Sequence, residues 1–525
     1  LRNFLGMTDI CLVSAQPNLD ILGLKGLHLY LRQEGFDSVL LYFPVFKKYA
    51  GRNQHEHVKR FLMEENPKVV GISLTAEDFQ VASEITRIIR EVLPETYVIW
   101  GGIEATTEPD RCAKIADFVC IGEGELSLKA FLSSVKSGAN KDDLKKINNL
   151  AYFDEEGILQ TNPISPLISD LDMLPPLRQI PERSYVDTGT KIEPVRVEHL
   201  MRYKRYRGQV YKIMTSRGCP YGCAYCCNRF LRKLYGTWPV RHRSVQHFIR
   251  ELELAMKEGP PIFYVDIIDD CFFASDMEYI KEFCEVYKKR IGLPFIAKTT
   301  AREVSHERMS ILVDAGMTWT NMGLQSGSDR TCLEIYKRPT KSETFLKAAQ
   351  IVSEYPVGIY YDIILDNPFE TPEDRLNTVI TLSKTPRPFM PLFFSLRFYP
   401  GTEIRTRAIE EGIIKENTVV YEDFFLWKTT EDNRLIRSAC FVSPKIIMAL
   451  VERLKKNPRS LVLKSIIIGM DIITKTVLMP LTALRMIYRS QRRSIWGTIK
   501  TFPMFLNANH LPSIQKFSKI LRIGQ

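Results

Sequence analysis

The sequence predicts an α/β fold: an N-terminal doubly wound parallel sheet, then a partial (β/α)6 barrel and a C-terminal helical region. Five short apolar runs alternate with helical patterns in residues 1–135, which is typical of parallel sheets covered by helices. Six further strand–helix units occupy residues 210–430, after a connector at 136–209. Residues 431–525 hold only helical patterns interrupted by prolines, so they are predicted to form a helical end.

The composition is that of a globular protein with two or three domains. The chain has 525 residues, of which 45% are hydrophobic and 25% are charged. Its 11 cysteines have no regular spacing, so we expect no disulfide framework and a reducing, cytoplasmic location. The first residues lack a basic stretch followed by an apolar one, so no signal peptide is expected.

The N-terminal unit places small residues where its predicted strands end. Strands are predicted at 9–14, 38–43, 68–73, 97–100 and 118–121. The last two are followed by Gly101, Gly102, Gly122, Glu123 and Gly124. In a parallel sheet these ends share one edge, where glycines let a flat or phosphate-bearing ligand approach the backbone. Glycines are also common at the turns of any such sheet, and that interpretation stays open.

The connector at residues 136–209 carries no predicted chemistry. Apolar residues at 150–153 and 158–160 flank a turn-forming stretch, which predicts a hairpin. Five prolines between positions 163 and 181 argue against longer elements.

A cysteine-rich loop follows the first predicted barrel strand, at 210–215. Cys219, Cys223 and Cys226 follow one another at spacings of four and three residues. Two glycines and a proline in the loop favour the sharp turns that would bring three thiolates to one inorganic centre. Thiolates so close in sequence indicate an iron–sulfur or a zinc site. Three ligands leave one coordination position open, as reactive sites do.

The zinc alternative would need a further pair of ligands. The next histidines, His242 and His247, stand apart and do not form such a pair. The adjacent Cys227 is interpreted as a packing residue, because neighbouring side chains diverge. We therefore favour an iron–sulfur cluster.

The cysteine spacing, with Tyr225 directly before the last cysteine and the glycine-containing sheet in front, resembles the radical SAM superfamily, in its branch with an N-terminal cobalamin-binding domain. The resemblance covers about residues 8 to 405. It implies that Cys219, Cys223 and Cys226 hold a 4Fe–4S cluster whose fourth iron binds S-adenosylmethionine. One electron then cleaves this cosubstrate to a 5′-deoxyadenosyl radical, which abstracts a hydrogen atom. Cobalamin is implied at the glycine-containing edge, without an axial histidine, because no Asp-x-His-x-x-Gly motif is present.

The resemblance also assigns cofactor contacts at the ends of barrel strands, where function lies in this architecture. After the first strand, these are predicted at 262–268, 294–299, 319–324, 358–365 and 394–399. Asp269 and Asp270 resemble a paired acidic motif, although a helix cap is an open alternative for either. Arg302 lies where relatives place a cosubstrate-binding arginine, although solvated surface is the alternative. Gln325 and Ser326 fall in a Gly-x-Glu-Ser-Gly-like motif whose usual glutamate is Gln325 here. No residue is assigned as catalytic.

The C-terminal region concentrates the basic charge. The chain has a net charge of +11, and residues 445–525 contain 15 lysines and arginines against Glu452 and Asp471. That segment therefore carries +13, which leaves about −2 for the rest of the chain. Helices are predicted at 445–456, 461–477 and 481–493, with breaks at two prolines, Pro458 and Pro480.

Two interpretations of this basic region stay open. Its helices, with the aromatic residues Trp496, Phe502 and Phe505, suit peripheral contact with an anionic membrane surface. They equally suit a cap packed on the barrel. No apolar stretch is long enough to span a bilayer. Nucleic acid is not an expected partner, because the aromatics alternate with aliphatic residues and do not form a stacking platform.

The resemblance implies a cobalamin-type radical SAM enzyme that functionalises an unactivated carbon, with methyl transfer as the main expectation. Cyclisation, rearrangement or oxidation without methyl transfer is the first alternative. A non-catalytic iron–sulfur protein for electron transfer or scaffolding is the second. The expected partners are a small-molecule or lipid-like substrate and a reductant such as flavodoxin or ferredoxin.

Overall fold

Two parallel β-sheets form the framework of the protein, one in each half of the chain. The computed structural model describes residues 8–46, 55–418 and 425–491. Its strands, in chain order, are β1 (Ile10–Ser14), β2 (Ser38–Tyr42), β3 (Val69–Ser73), β4 (Tyr97–Gly101), β5 (Phe118–Cys120), β6 (Leu150–Phe153), β7 (Leu159–Thr161), β8 (Ser184–Asp187), β9 (Ile192–Pro194), β10 (Val210–Ile213), β11 (Ser216–Arg217), β12 (Arg241–His242), β13 (Tyr264–Ile267), β14 (Phe295–Thr299), β15 (Met317–Gln325), β16 (Gly358–Leu365) and β17 (Met390–Ser395).

The α-helices alternate with these strands and continue beyond the last one. In the first half they are Leu22–Gln33, Glu56–Glu65, Phe79–Val92, Ile103–Thr107, Pro109–Ala113, Glu125–Lys136, Lys141–Leu144 and Val197–Tyr203. In the second half they are Cys227–Tyr235, Val245–Lys257, Met277–Arg290, His306–Asp314, Ser342–Ser353, Pro372–Lys384, Glu403–Glu410, Glu431–Ala439, Pro444–Lys456, Leu461–Ile473 and Met479–Ser490.

The first sheet has the strand order β7-β6-β5-β4-β3-β1-β2-β8-β9. All neighbours from β5 to β8 are parallel, which confirms the predicted doubly wound sheet. Its two faces are covered by separate apolar cores. The chain proceeds from β1 to β2 in one direction and from β3 to β5 in the other, so a crevice opens at their carboxyl ends.

Most of the predicted connector, residues 136–209, belongs to the first sheet. β6 and β7 form the predicted hairpin, and β6 pairs antiparallel with β5. β8 adds in parallel to β2, with Leu40 opposite Ser184, and β9 folds back against β8. Sequence reasoning missed β8 because its strand character comes from pairing with β2, more than 140 residues earlier, and it missed β9 because β9 depends on β8.

The second sheet is a half-barrel of six parallel strands in the order β10-β13-β14-β15-β16-β17, as predicted. Its core lies between the strands and the surrounding helices. The sixth strand, β17, begins four residues before the predicted 394–399. The stretch after Ser395 turns instead of extending, and the Thr402 N–H donates to the Tyr399 carbonyl at 3.3 Å.

The described helices after residue 430 pack on the half-barrel. Their apolar residues Leu435, Ile447, Ile467, Met486 and Ile487 are buried in the same core as the barrel strands. A buried ion pair between Arg437 and Asp471 joins two of the helices, with hydrogen bonds of 2.7 Å. The cap interpretation is therefore correct for one face of these helices. Residues 492–525, including the three aromatics singled out above, lie outside the described residues.

The predicted helix break at Pro480 is wrong. A π-helical segment, Thr474–Leu478, joins Leu461–Ile473 to Met479–Ser490, so one continuous rod runs from residue 461 to 490. Pro480 stands at the start of the last α-helical segment, where a missing N–H is tolerated. None of the described helices is both long and apolar enough to cross a membrane.

Candidate active site at the cysteine loop

The cysteine loop follows the carboxyl end of β10 and contains a sharp turn at which there is no room for a side chain. Gly218 has φ of +106°, and a Cβ there would lie 2.1 Å from the Pro239 carbonyl oxygen, so only glycine fits. The Cys226 N–H donates to the Cys223 carbonyl at 3.1 Å, and the Ala224 N–H donates to the Tyr336 carbonyl at 2.8 Å. The loop is thus held at both ends and in its middle.

The donor set fits an iron–sulfur cluster. Burial raises the pKa of the Cys219 thiol to about 12, and the neighbouring Asp270, Cys226 and Cys223 contribute in the same direction. Its thiolate form therefore needs a cationic partner such as iron. Within residues 8–46, 55–418 and 425–491, no three histidine, cysteine or acidic side chains are arranged to hold one metal ion. A cluster needs no such convergence, because each thiolate binds a different iron.

The helix that follows the loop supplies polar and electrostatic support. It begins at Cys227, so its positive N-terminal end faces the cysteines and favours an anionic centre. Asn228 lies 3.5 Å from the Cys226 sulfur through Nδ2, which also donates to Asp270 at 3.0 Å. Trp238 Nε1 fixes the Asn228 side chain by donating to its oxygen at 2.9 Å.

The two predicted acidic residues after β13 have different roles. Asp269 is buried and accepts hydrogen bonds from the Thr215 N–H at 2.7 Å, the Thr215 hydroxyl and the Ser216 hydroxyl. Burial raises its pKa against these bonds. Asp269 therefore positions the chain entering the cysteine loop, which favours a structural role over direct cosubstrate contact. Asp270 is exposed, and Asn228 is its hydrogen-bond donor.

We predict that Asp269→Ala lowers the free energy of unfolding by on the order of 3 kcal/mol, because buried N–H and O–H groups lose their acceptor. Thermal denaturation of the purified variant measures this. Asp270→Ala is the matched control, with an expected change below about 1 kcal/mol, because its carboxylate is exposed. Equal losses in both variants would contradict the assignment.

The other predicted cosubstrate residues differ in burial and in backbone conformation. Tyr225 packs edge-on against Tyr336, with ring centroids 5.1 Å apart. Arg302 is exposed just beyond β14. Gln325 ends β15 in a left-handed conformation, with φ of 67°, at a bulge in the β15–β16 pairing. Such strain in a residue other than glycine is typical of functional sites.

Ser326 faces the protein interior and not a pocket. It is buried, and its hydroxyl donates to Glu370 Oε1 at 2.7 Å and lies 3.1 Å from the Thr378 hydroxyl. Burial raises the pKa of Glu370 to about 7. The predicted Ser326 contact with a cofactor is therefore not supported by its hydrogen bonds.

A pocket of about 590 Å³ lies between the two halves of the molecule. From the first sheet it is lined by the predicted edge residues Gly101, Gly102, Gly122, Glu123 and Gly124. From the barrel it is lined by residues of the cysteine loop and its surroundings: Gly218, Cys227, Asn228, Asp269 and Asp270. No histidine is among its lining residues in the described part of the chain. The glycine edge and residues on either side of the three cysteines therefore line one space, although Cys219, Cys223 and Cys226 are not among its lining residues.

Glycine is required at two points of this edge. Gly102 has φ of +95°, and a Cβ there would lie 2.7 Å from the Leu74 carbonyl oxygen. Gly122 has φ of +78°, and a Cβ would lie 2.1 Å from the Tyr235 hydroxyl. That hydroxyl accepts a hydrogen bond from the Glu123 N–H at 2.7 Å. The barrel half therefore contacts the glycine edge directly.

Two family models match the two halves of the chain. A B12-binding domain matches residues 9–132, and the Radical SAM superfamily matches residues 213–382. The chain is a radical SAM enzyme with a B12-binding domain. The first match covers the parallel strands β1 to β5, and the second begins at the end of β10, immediately before the cysteine loop.

This radical SAM enzyme has distant relatives of known name. It is 23% identical over 360 residues to an uncharacterized methyltransferase of Pyrococcus horikoshii, covering 68% of this chain and 72% of the relative. It is 25% identical over 315 residues to the anaerobic magnesium-protoporphyrin IX monomethyl ester cyclase of Synechocystis sp., covering 58% of this chain and 57% of the cyclase. The chain thus spans little more than half of the cyclase.

A solved structure shares the fold over nearly the whole chain. The apo form of the cobalamin-dependent S-adenosylmethionine radical enzyme OxsB superposes with a TM-score of 0.63 at 15% identity, covering 98% of this chain and 84% of OxsB. At this identity the similarity shows the fold alone.

The structure also shows two arginines of this enzyme, Arg217 and Arg241, that sequence reasoning missed. Glu123 was predicted as a cofactor contact, but its carboxylate pairs with Arg241 at 2.6 Å and Arg217 at 3.3 Å across the domain boundary. Burial alone would raise the pKa of Glu123, and the Arg241 hydrogen bond lowers it overall. Arg217 also pairs with Glu125 at 2.7 Å. No sequence signal identifies these pairs, because the partners are about a hundred residues apart.

Proposed function

We propose that this enzyme methylates an unactivated carbon of a small, lipid-like substrate by radical chemistry. The observation that carries the proposal is one pocket lined both by the glycine edge of the B12-binding domain and by residues that flank the three cysteines of the barrel, such as Gly218 and Asn228. A methyl donor and a radical generator that open into one space can act on the same substrate carbon without a carrier between them.

The residues of the cysteine loop would hold the cluster. When bound, the cluster and S-adenosylmethionine supply a 5′-deoxyadenosyl radical, and cobalamin supplies a methyl group. We propose that Cys219, Cys223 and Cys226 provide the three thiolates and leave one iron for the cosubstrate. Asp270 and Arg302 supply exposed charges of opposite sign near the loop, which suit the cosubstrate's amino and carboxylate groups.

The glycine edge would hold the corrinoid. Gly101 and Gly102 present backbone without side chains, which allows a flat macrocycle to approach, whereas Gly122 lets Tyr235 of the barrel half pack against this edge. Since the lining of the pocket includes no histidine among the described residues, cobalamin would bind without a histidine ligand from the described part of this chain.

A reaction without methyl transfer is the second candidate. It is favoured by the similarity to the anaerobic cyclase of Synechocystis sp., which is 25% identical over 315 residues. The two candidates share hydrogen abstraction and differ in whether the substrate radical receives a methyl group or closes a ring.

One assay tests both candidates. The full chain is reconstituted without oxygen with iron, sulfide and hydroxocobalamin, then given dithionite, lipid extract and S-adenosylmethionine labelled in its methyl group. We expect 5′-deoxyadenosine together with lipid that carries the labelled methyl group. Flavodoxin or ferredoxin should support the same reaction when used as the reductant in place of dithionite. 5′-Deoxyadenosine without label in any product favours cyclisation or oxidation. A cluster whose spectrum ignores S-adenosylmethionine contradicts both candidates.

A lipid-like substrate is supported by the outer face of the C-terminal rod, residues 461–490. The opposite face packs on the barrel, yet this outer face exposes a continuous series of large apolar side chains. We call it the outer rod face: Leu461, Val462, Ile466, Ile468, Ile472, Ile473, Val477, Leu481, Leu484 and Tyr488. A soluble surface rarely presents so many together, and such patches mark interaction sites. At 1.5 Å per residue the rod is about 45 Å long.

The charges around the outer rod face suit an anionic bilayer surface. Lys455, Lys456 and Arg459 precede the rod and are exposed, and Arg485 is exposed within it. The 34 residues that follow position 491 contain six lysines and arginines and no acidic residue. An apolar face flanked by cations is typical of helices that lie in the membrane interface. We therefore propose peripheral contact of this face with anionic lipid.

We predict that Ile466→Ser, Ile473→Ser and Val477→Ser together reduce sedimentation with anionic liposomes at least tenfold. These side chains are 45–55% exposed, so the fold should be unaffected. Ile158→Ser is the matched control, because Ile158 is 59% exposed on the distant β6–β7 hairpin. Unchanged sedimentation of the triple variant would reject the membrane contact. Self-association of the wild type that the triple variant abolishes, without liposomes, would assign the face to a second copy instead.

A further inference from the structure

Arg338 is a buried cation without a carboxylate partner, placed beside the cysteine loop. The residue is 6% exposed. Its Nη2 donates to the Gly323 carbonyl at 3.0 Å, and its Nη1 lies 4.0 Å from the Cys223 sulfur. Its Nε is buried and has no hydrogen-bond partner. None of the ion pairs among the described residues includes Arg338. The guanidinium therefore has an unfilled donor and no ion-pair partner within that part of the chain. The partly buried Asp362 interacts with it only through space: burial raises the pKa of Asp362 to about 6, and the charge of Arg338 opposes that rise.

A buried charge without a partner is costly, so this arrangement points to an anion that completes it. Burial of an unpaired ion costs several kcal/mol. The thiolate of Cys223 would place an anionic group 4.0 Å from Arg338 Nη1. A cluster held by three thiolates carries net negative charge, which increases by one when it is reduced. The Arg338 guanidinium lies close enough to the cysteine loop to stabilise that negative charge electrostatically.

The backbone around Arg338 has an unusual conformation that positions the residue beside the cysteine loop. It follows a π-helical turn, Thr331–Ile335, and Lys337 has a left-handed backbone with φ of 49°. The Arg338 N–H donates to the Cys332 carbonyl at 2.8 Å. The adjacent Tyr336 carbonyl accepts from Ala224 in the middle of the cysteine loop. Such π turns and left-handed residues concentrate at functional sites, and here they tie the arginine to the loop.

We propose that the Arg338 guanidinium is the counter-charge of the cluster and raises its reduction potential. A fixed cation in a buried site stabilises the state that carries one more negative charge, because screening there is weak. The proposal rests on cluster binding by the three cysteines of the proposed function, but not on the identity of the reaction. It makes Arg338 a positioning and electrostatic residue.

Potentiometry of the reconstituted full chain, followed by electron paramagnetic resonance, tests the proposal. In Arg338→Gln we expect the cluster to hold the added electron about tenfold less tightly. Its reduction potential should therefore fall by about 59 mV, the value for a one-electron couple. Arg338→Lys keeps the charge and should retain most of the wild-type potential. Arg330→Gln is the matched control, because Arg330 lies on the same segment but pairs with Asp374, and no shift is expected.

The outcomes separate charge from structure. Loss of iron and sulfide in Arg338→Gln but not in Arg338→Lys also supports the proposal, since the cluster then needs the cation to form. Equal shifts, or equal loss of the cluster, in both Arg338 variants would assign the residue a purely structural role. An unchanged potential in Arg338→Gln would overturn the proposal, even if the spectral response to S-adenosylmethionine were lost. A wild type that holds no cluster would instead refute the proposed function.

Discussion

Replacement of Cys223 by alanine is expected to abolish formation of 5′-deoxyadenosine, with activity falling to background. Cys223 is the central member of the three-cysteine set, and its backbone carbonyl accepts the Cys226 N–H that closes the loop. The substitution removes the sulfur and leaves the backbone in place. A cluster with two thiolates would be lost or would no longer present one defined open iron. Iron and sulfide content, visible absorbance and chromatography of 5′-deoxyadenosine measure the result.

Cys227→Ala is the control that makes this prediction specific. Cys227 is adjacent in sequence, is also a free cysteine and lines the pocket between the domains, but the sequence analysis interprets it as a packing residue and not as a cluster ligand. We expect this variant to keep the cluster and most of the 5′-deoxyadenosine formation. If Cys227→Ala lost the cluster as completely as Cys223→Ala, the centre would have four protein ligands. In that case no iron would be free for S-adenosylmethionine.

Gly101→Phe is expected to weaken cobalamin binding by about 10- to 100-fold, the effect of roughly 1–3 kcal/mol of overpacking. Gly101 ends β4 and lines the pocket between the domains. A Cβ there meets only the Cys120 Cβ, at 3.9 Å, so a larger side chain can enter without a backbone clash. The ring would then fill space that a corrinoid needs. Titration of the purified chain with hydroxocobalamin, read by absorbance, measures the loss.

Two further measurements show whether the effect of Gly101→Phe is specific to cobalamin binding. Gly101→Ala adds one methyl group with ordinary contacts and should bind cobalamin within a few-fold of the wild type. Gly101→Phe should also keep its iron, sulfide and 5′-deoxyadenosine formation, because the cysteine loop is untouched. Wild-type cobalamin affinity in Gly101→Phe would place the corrinoid elsewhere. Loss of the cluster in the same variant would mean that the substitution had damaged the fold.

Local patterns predicted most of the fold. The strands β1 to β5 and the half-barrel order follow from short apolar runs bounded by turn residues. What failed depended on distant partners. β8 and β9 follow a proline-rich stretch; β8 becomes a strand by pairing with β2, and β9 by pairing with β8. Pro480 was predicted to end a helix, but packing of Met486 and Ile487 on the barrel core holds the rod together across a π-helical turn.

The candidate site was likewise predicted from local patterns. The three cysteines were proposed as ligands because all three lie within eight residues. The glycine edge was proposed as a cofactor site because each of its parts directly follows a strand. Asp269 and Glu123 were assigned to cofactors, but the structure shows hydrogen bonds or ion pairs that occupy their carboxylates. Arg338 was missed, because it lies 115 positions from the cysteine whose sulfur it approaches.

The amino-acid sequence by itself determined the cysteine set, the alternation of strands and helices and the concentration of basic charge at one end. These features are local, and a few neighbouring residues suffice to specify them. Only the tertiary structure decided that the glycine edge and residues flanking the three cysteines line one pocket, and that a lone arginine stands beside the loop. Those facts depend on contacts between segments far apart in the chain, since burial and charge pairing arise only when the chain has folded.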